Sequence, residues 1–164
     1  DRCVIPAACK TSISSLLKTA PTKPYSCTIN FGDYTVYYGG GTWFKVGMVI
    51  RNSTSGKLLH FAFQASSYEN NRIAVTKYSD SNTYVDIISD SGAAYINKEN
   101  VWLRLVNNNT NRIYYFSIDG INWSQLYSEA NNTYFEENQI GIGILPWAVN
   151  TYTKFRHFKF DYTG

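Results

Sequence analysis

Two histidines, three cysteines and 12 acidic residues carry most of the reactive chemistry in this 164-residue chain, and they are scattered. The acids are Asp1, Asp33, Glu69, Asp80, Asp86, Asp90, Glu99, Asp119, Glu129, Glu136, Glu137 and Asp161. Only two groups of them approach a pair. In an extended strand Asp86 and Asp90 share a face about 13 Å apart, too far for a hydrolytic carboxylate pair. Glu136 and Glu137 point to opposite faces. No Gly-x-Ser-x-Gly turn anchors a serine nucleophile. His60 lies in an alternating run and His157 in a basic one, so both are expected as partly exposed sheet residues. Catalysis is therefore not expected.

Metal chemistry is equally thin. Cys3, Cys9 and Cys27 crowd the first 27 residues without a Cys-x-x-Cys pair, and both histidines are distant in sequence, which argues against zinc. Cys3–Cys9 and Cys9–Cys27 bridges both stay open for an oxidising compartment, with reduced thiols the expected state. Asp80-Ser81-Asn82 with Asp86 is an oxygen-rich loop that could hold calcium. It lacks the glycine and terminal glutamate of an EF-hand, so a solvated hairpin without cofactor is expected.

The aromatic residues are more informative. A sugar ring is held by an aromatic face against its C–H patch and by amides, hydroxyls or arginine at its OH groups. Tyr78 and Tyr84 flank the turn 79–83, and Trp147 sits in Leu145-Pro146-Trp147-Ala148-Val149-Asn150, beside the polar Asn150 and Tyr152. These five residues are the candidate carbohydrate contacts. The competing role for Trp147 is capping the core, and for the two tyrosines cross-strand packing. Trp43, Trp102 and Trp123 lie in strands or beside turns and are expected in the core. The sequons at Asn52, Asn108, Asn122 and Asn131 follow from an Asn-rich composition.

The elements that must position these side chains are strands. Aromatics make up 16% of the chain, and it holds 45 Asn, Ser and Thr against 8 Leu and 10 Ala, a bias toward pleated faces and turns. Charged residues are 16% and the net charge is +3, with basic residues dispersed rather than striped, so nucleic acid is not an expected partner. No 18-residue apolar run occurs, so no helix crossing a membrane is expected. The chain starts at Asp1 without a signal-like segment, and is expected to be a processed product or a piece of a longer protein.

Residues 1–24 read as a separate N-terminal segment with one short helix, a joint to a neighbouring domain or subunit, followed by a β region over 25–164. Ile13, Leu16 and Leu17 have helical spacing, Thr11 or Ser12 can cap, and Pro21 and Pro24 end the helix. Eleven strands follow: Ser26–Phe31, Tyr34–Tyr38, Trp43–Arg51, Leu58–Ala65, Arg72–Tyr78, Thr83–Ile88, Val101–Val106, Ile113–Ile118, Trp123–Ser128, Gln139–Leu145 and Thr153–Tyr162. Leu59, Phe61, Phe63 and Ala65 alternate with His60, Ala62 and Gln64. Phe155 is out of phase with Phe158 and Phe160, which predicts a bulge near Arg156. Short strands with turns between them and no intervening helices predict an all-β antiparallel sandwich or barrel.

The most specific stretch is Val101–Glu129. Leu103 and Leu105 alternate inward, Asn107–Asn111 turn the chain, and Asp119-Gly120 makes a tight hairpin before Trp123, expected to cap the core. Strand, strand, Ser117-x-Asp119-Gly120-x-x-Trp123, strand, then Gly141-Ile142-Gly143 resembles concanavalin A-like jelly rolls of the laminin-G type. Asn111–Glu129, with Thr19–Tyr25 and Gly47–Lys57, is similar to domains of bacteriophage tail-fibre, head-fibre and other virion appendage proteins, over about residues 17–162. The resemblance implies a two-sheet jelly roll with one concave sheet that often holds saccharides. It also implies a non-catalytic receptor-binding role on a virion surface, with bacterial surface polysaccharide or another glycan as ligand. Partners would be virion proteins or other copies of the chain, as a homotrimer. A structural decoration or trimerisation domain is the alternative. Glycosidases of this fold carry Glu-x-Asp-x-x-Glu on one strand, and no such triplet occurs here.

Overall fold

A computed structural model describes residues 3–4, 12–35, 43–66, 71–92, 100–146 and 152–161. Among them the chain forms twelve strands. These are β1 (Cys3–Val4), β2 (Ser14–Thr19), β3 (Tyr25–Thr35), β4 (Trp43–Arg51), β5 (Leu58–Ser66) and β6 (Arg72–Tyr78), then β7 (Tyr84–Asp90), β8 (Val101–Asn107), β9 (Asn111–Ser117), β10 (Ser124–Ala130), β11 (Gln139–Pro146) and β12 (Tyr152–Asp161). They build two six-stranded sheets, ordered β1-β12-β3-β8-β9-β10 and β2-β11-β4-β5-β6-β7, with every pairing antiparallel.

Alternation decides what lies between the sheets. Phe44, Val46, Met48 and Ile50 of β4 meet Leu59, Phe61 and Phe63 of β5 and Ile73 and Val75 of β6. From the first sheet come Tyr25, Cys27, Ile29, Phe31, Leu103, Leu105 and Tyr114. Each large side chain so buried contributes about 1.5–3 kcal/mol. The Phe61 and Tyr114 rings meet edge-to-face across the gap at 5.3 Å. Cys27 is buried in this core, whereas Cys9 lies outside the described residues.

One end of the core is ionic. Arg112 on β9 is fully buried between Glu129 (Nη2 to Oε1, 3.0 Å) and Glu137 (Nη1 to Oε2, 3.4 Å). Tyr114 donates its hydroxyl to Glu129, Tyr25 and Asn107 donate to Glu137, and the guanidinium lies 5.1 Å from the Phe135 ring. The cluster ties β3, β8, β9 and β10 to the 131–138 connection. Such a set holds only while complete, because removing one charge strands the others in low dielectric.

Four expectations are corrected. Ser14–Thr19, where a helix is predicted from Ile13, Leu16 and Leu17, is instead edge strand β2, paired with β11 from Thr19↔Gln139 to Ser14↔Ile144. The described residues contain no helix. The backbone of β11 lets β2 approach so closely that a Cβ on Gly141 would collide with the Leu16 carbonyl, and pairing of this kind overrides a local spacing pattern. β3 runs unbroken through Gly32-Asp33. His60 is fully buried rather than partly exposed. Trp102 and Trp123 are half-buried on the outer face of the first sheet, not in the core. The predicted bulge is present, as a register shift between Phe155 and His157.

Candidate functional site

The outer face of the second sheet carries a polar patch where β4, β5, β6 and β7 run side by side. Lys45 is the third residue of β4, among apolar neighbours, and alternation turns it away from the core while Phe44 and Val46 turn inward. Its side chain is 2% exposed. The ammonium donates to Thr76 Oγ1 at 3.0 Å and to the Tyr78 hydroxyl at 3.3 Å, both from β6. It also stands 5.6 Å from the Tyr78 ring centroid and 5.9 Å from that of Tyr84. Burial, reinforced by the nearby Arg72 charge, pulls the Lys45 amine down to about 7.

Tyr78 and Tyr84 are direct cross-strand partners on β6 and β7, their rings edge-to-face at 6.0 Å. They divide two roles between them. Tyr78 is buried, its hydroxyl pushed well above the usual phenol range by desolvation and by Tyr84. Tyr84 is 53% exposed and presents its ring to solvent. Asp80 forms the turn between them, its Oδ1 accepting from the Asn82 and Thr83 amides at 2.8 and 3.0 Å.

Further along the same face, Arg72 Nη1 pairs with Asp90 Oδ2 at 2.9 Å and Nη2 reaches Gln64 Oε1 at 3.5 Å. Both members of the ion pair are about a third exposed. From Tyr84, opposite Tyr78, to Asp90, opposite Ala74, the patch extends about 13 Å along β6. Beneath it His60 is held neutral, its imidazole pulled down to about 3 by burial and by Lys45, with Nε2 3.3 Å from the Gly143 carbonyl. A neutral ring with Nε2 facing a carbonyl carries its proton there.

The carboxylates are not arranged for hydrolysis. Two register shifts in β7 place Asp86 opposite Lys77 and Asp90 opposite Ala74, so they fall on opposite faces rather than sharing one. Glu136 is exposed and paired with Lys23, while Glu137 and Glu129 are sealed between the sheets on Arg112. The Asp80 oxygens face their own turn, whose hydrogen bonds hold the carboxyl below the usual carboxylate range. No cluster of three His, Cys, Asp or Glu side chains suited to a metal occurs among the described residues.

Of the five sequence candidates, the fold brings Tyr78 and Tyr84 together. Trp147 and Asn150 lie outside the described residues. Tyr152 opens β12 in the other sheet, with its backbone opposite Thr35 and Val4. Sequence reasoning missed Lys45, Thr76 and Arg72. The available signal was parity: a lone lysine in Phe44-Lys45-Val46-Gly47-Met48 must occupy the outward side of a buried strand.

No protein-family model matches the chain, and no curated protein matches it. Solved structures do. The xylan beta-1,4-xylosidase from Bacillus halodurans C-125 superposes with a TM-score of 0.68 at 11% identity, over 98% of this chain and 32% of that one. A legume lectin-like domain from Entamoeba histolytica gives 0.58 at 11%, over 100% and 90%. CG-16, a homodimeric agglutinin from chicken liver, gives 0.51 at 12%, over 90% and 100%. The chain spans about a third or less of the bacterial glycosidases it matches. With the sheet orders above, these likenesses define the fold: an antiparallel two-sheet jelly roll of the concanavalin A-like kind.

Proposed function

We propose that this domain is a non-catalytic carbohydrate-binding module that holds a saccharide along the exposed β6–β7 margin of the second sheet's outer face. The carrying observation is the exposed Tyr84 ring, braced edge-on by Tyr78, on the same sheet face as the Arg72–Asp90 pair. An exposed aromatic face and a fixed donor–acceptor pair about 13 Å apart on one sheet face suit an oligosaccharide: C–H stacking for one ring and oriented hydroxyl contacts for another. Tyr84 supplies the stack, Arg72 donates, and Asp90 accepts. Lys45 and Thr76 fix the position of Tyr78 from beneath. The lectin-type neighbours support the reading at the level of fold.

The setting we propose is a bacteriophage fibre or other virion appendage that attaches to bacterial surface glycan, at the virion surface. Its support is the sequence run Asn111–Glu129 and the Tyr- and Asn-rich composition. A purely structural reading, assembly with copies of itself, is favoured by one observation: Leu16 stands 68% exposed on edge strand β2.

The test is a broad bacterial glycan array, probed with multivalently displayed protein of measured mass, with and without EDTA. A single weak site is detected only through avidity. A reproducible hit lost in Tyr84→Ala supports the reading. Silence from a folded, multivalent preparation refutes it, and loss with EDTA alone moves the site to the Asp80–Asp86 loop.

A further inference from the structure

The signature run Ser117–Trp123 has no part in the second-sheet patch, yet it is a tightly hydrogen-bonded loop. Asp119 Oδ1 accepts from the Ser117 hydroxyl and from the Ile121 and Asn122 amides, each at 2.8 Å, while Oδ2 accepts from Asn122 Nδ2 at 2.8 Å. Gly120, at φ 75°, packs so closely on the Trp102 indole that a Cβ would lie 2.9 Å from it. This loop delivers Trp123 onto the outer face of the first sheet. There the Arg104 guanidinium stacks at 3.8 Å from the Trp123 ring centroid, and Arg104 Nε donates to Thr28 Oγ1 at 3.2 Å.

The stack fixes the guanidinium without using its outer edge. Among the described residues Arg104 makes no ion pair, and neither Nη atom has a hydrogen-bond partner. Asp119, in the neighbouring loop, is already saturated by its own turn. Strand pairing sets Arg104 in a row across five strands, Lys159–Thr28–Arg104–Tyr115–Gln125. The row holds two cations, hydroxyls, an amide and no carboxylate.

We propose that this face is a second saccharide site, separate from the Tyr84 patch, and that it selects sugars bearing a carboxylate. A planar guanidinium held by stacking presents two parallel N–H donors, the geometry that a uronate carboxylate accepts. Tyr115 and Gln125 offer polar groups to the ring hydroxyls along the row. Trp123 sets the guanidinium plane, and the Asp119 turn sets Trp123.

The test compares a short oligogalacturonate with its methyl ester by NMR titration at low ionic strength. The acid is expected to bind and the ester to be silent, with shifts at the Arg104 Nε–H and the Trp123 indole N–H. Arg104→Gln is expected to weaken the acid roughly 10- to 100-fold. Arg104→Lys, which keeps the charge and loses the fork, is expected to recover only part of that loss. Tyr84→Ala is expected to leave uronate binding unchanged, so this site and the first fail independently. Unchanged thermal unfolding of Arg104→Gln excludes misfolding as the cause. Equal binding of acid and ester, shifts confined to β6 and β7, or no binding of the acid overturns the proposal. An acidic peptide that binds at Arg104 while the uronate stays silent overturns it as well, and marks the face as a protein-docking surface.

Discussion

Replacing Lys45 with methionine tests the electrostatics of the second-sheet patch through pH. The amine lies buried against Thr76 and Tyr78, and its pKa falls from the ordinary 10.5 to about 7. In the unfolded chain the amine keeps its ordinary value. Between the two values the unfolded state binds more protons, so stability rises with pH across that window. Below pH 7 both states are charged and the burial penalty is fully present. Above 10.5 both are neutral and it vanishes. From pH 7 to pH 9 the linkage amounts to about 2 kcal/mol. Urea unfolding of the natural protein and Lys45→Met at both pH values isolates this group, because other titrations cancel in the difference. The natural protein is expected to gain about 2 kcal/mol on the variant between pH 7 and pH 9. A difference that stays constant with pH refutes a neutralised, buried amine.

Three further perturbations follow from the geometry. Arg112→Leu leaves Glu129 and Glu137 buried without their cation and is expected to cost about 3–5 kcal/mol by urea unfolding; a cost under 1 kcal/mol contradicts the ionic core. Gly141→Ala drives a Cβ into the Leu16 carbonyl, so amide exchange is expected to quicken across Ser14–Thr19 while β5 and β6 stay protected. Tyr84→Ala removes the exposed ring and is expected to weaken saccharide binding roughly 3- to 10-fold with unfolding unchanged, whereas a matching loss of stability reassigns Tyr84 to packing.

Strands whose own pattern carries both faces were legible in the sequence. Trp43–Arg51 and Arg72–Tyr78 match β4 and β6 end to end, because turn residues bound them and their inward sides are continuously apolar. The phase error at Phe155 foretold the β12 shift. β2 was not legible. Ile13, Leu16 and Leu17 satisfy a helical spacing, but Ile13 and Leu17 belong to an outer-face cluster with Val49, Tyr78 and Leu145, and β11 dictates the extended form. The shifts in β7 were hidden too, so counting residues placed Asp86 and Asp90 on one face. At the site, Tyr78 and Tyr84 could be paired from the short turn between them. Lys45 and Arg72 reach the same face only through sheet order, which separates residues by 27 positions in the chain and brings them within electrostatic range. Arg112, Glu129 and Glu137 likewise meet through topology alone.

The central claim is that saccharide binds along the exposed β6–β7 margin of the second sheet, and NMR titration of the strongest uncharged array ligand into the natural protein tests it most directly. The account predicts saturable shifts at the backbone amides of Arg72, Tyr84 and Asp90, with the buried Ile73 and Val75 amides little changed. Saturable shifts confined to the first sheet, or a ligand bound without perturbing β6 and β7, contradict it.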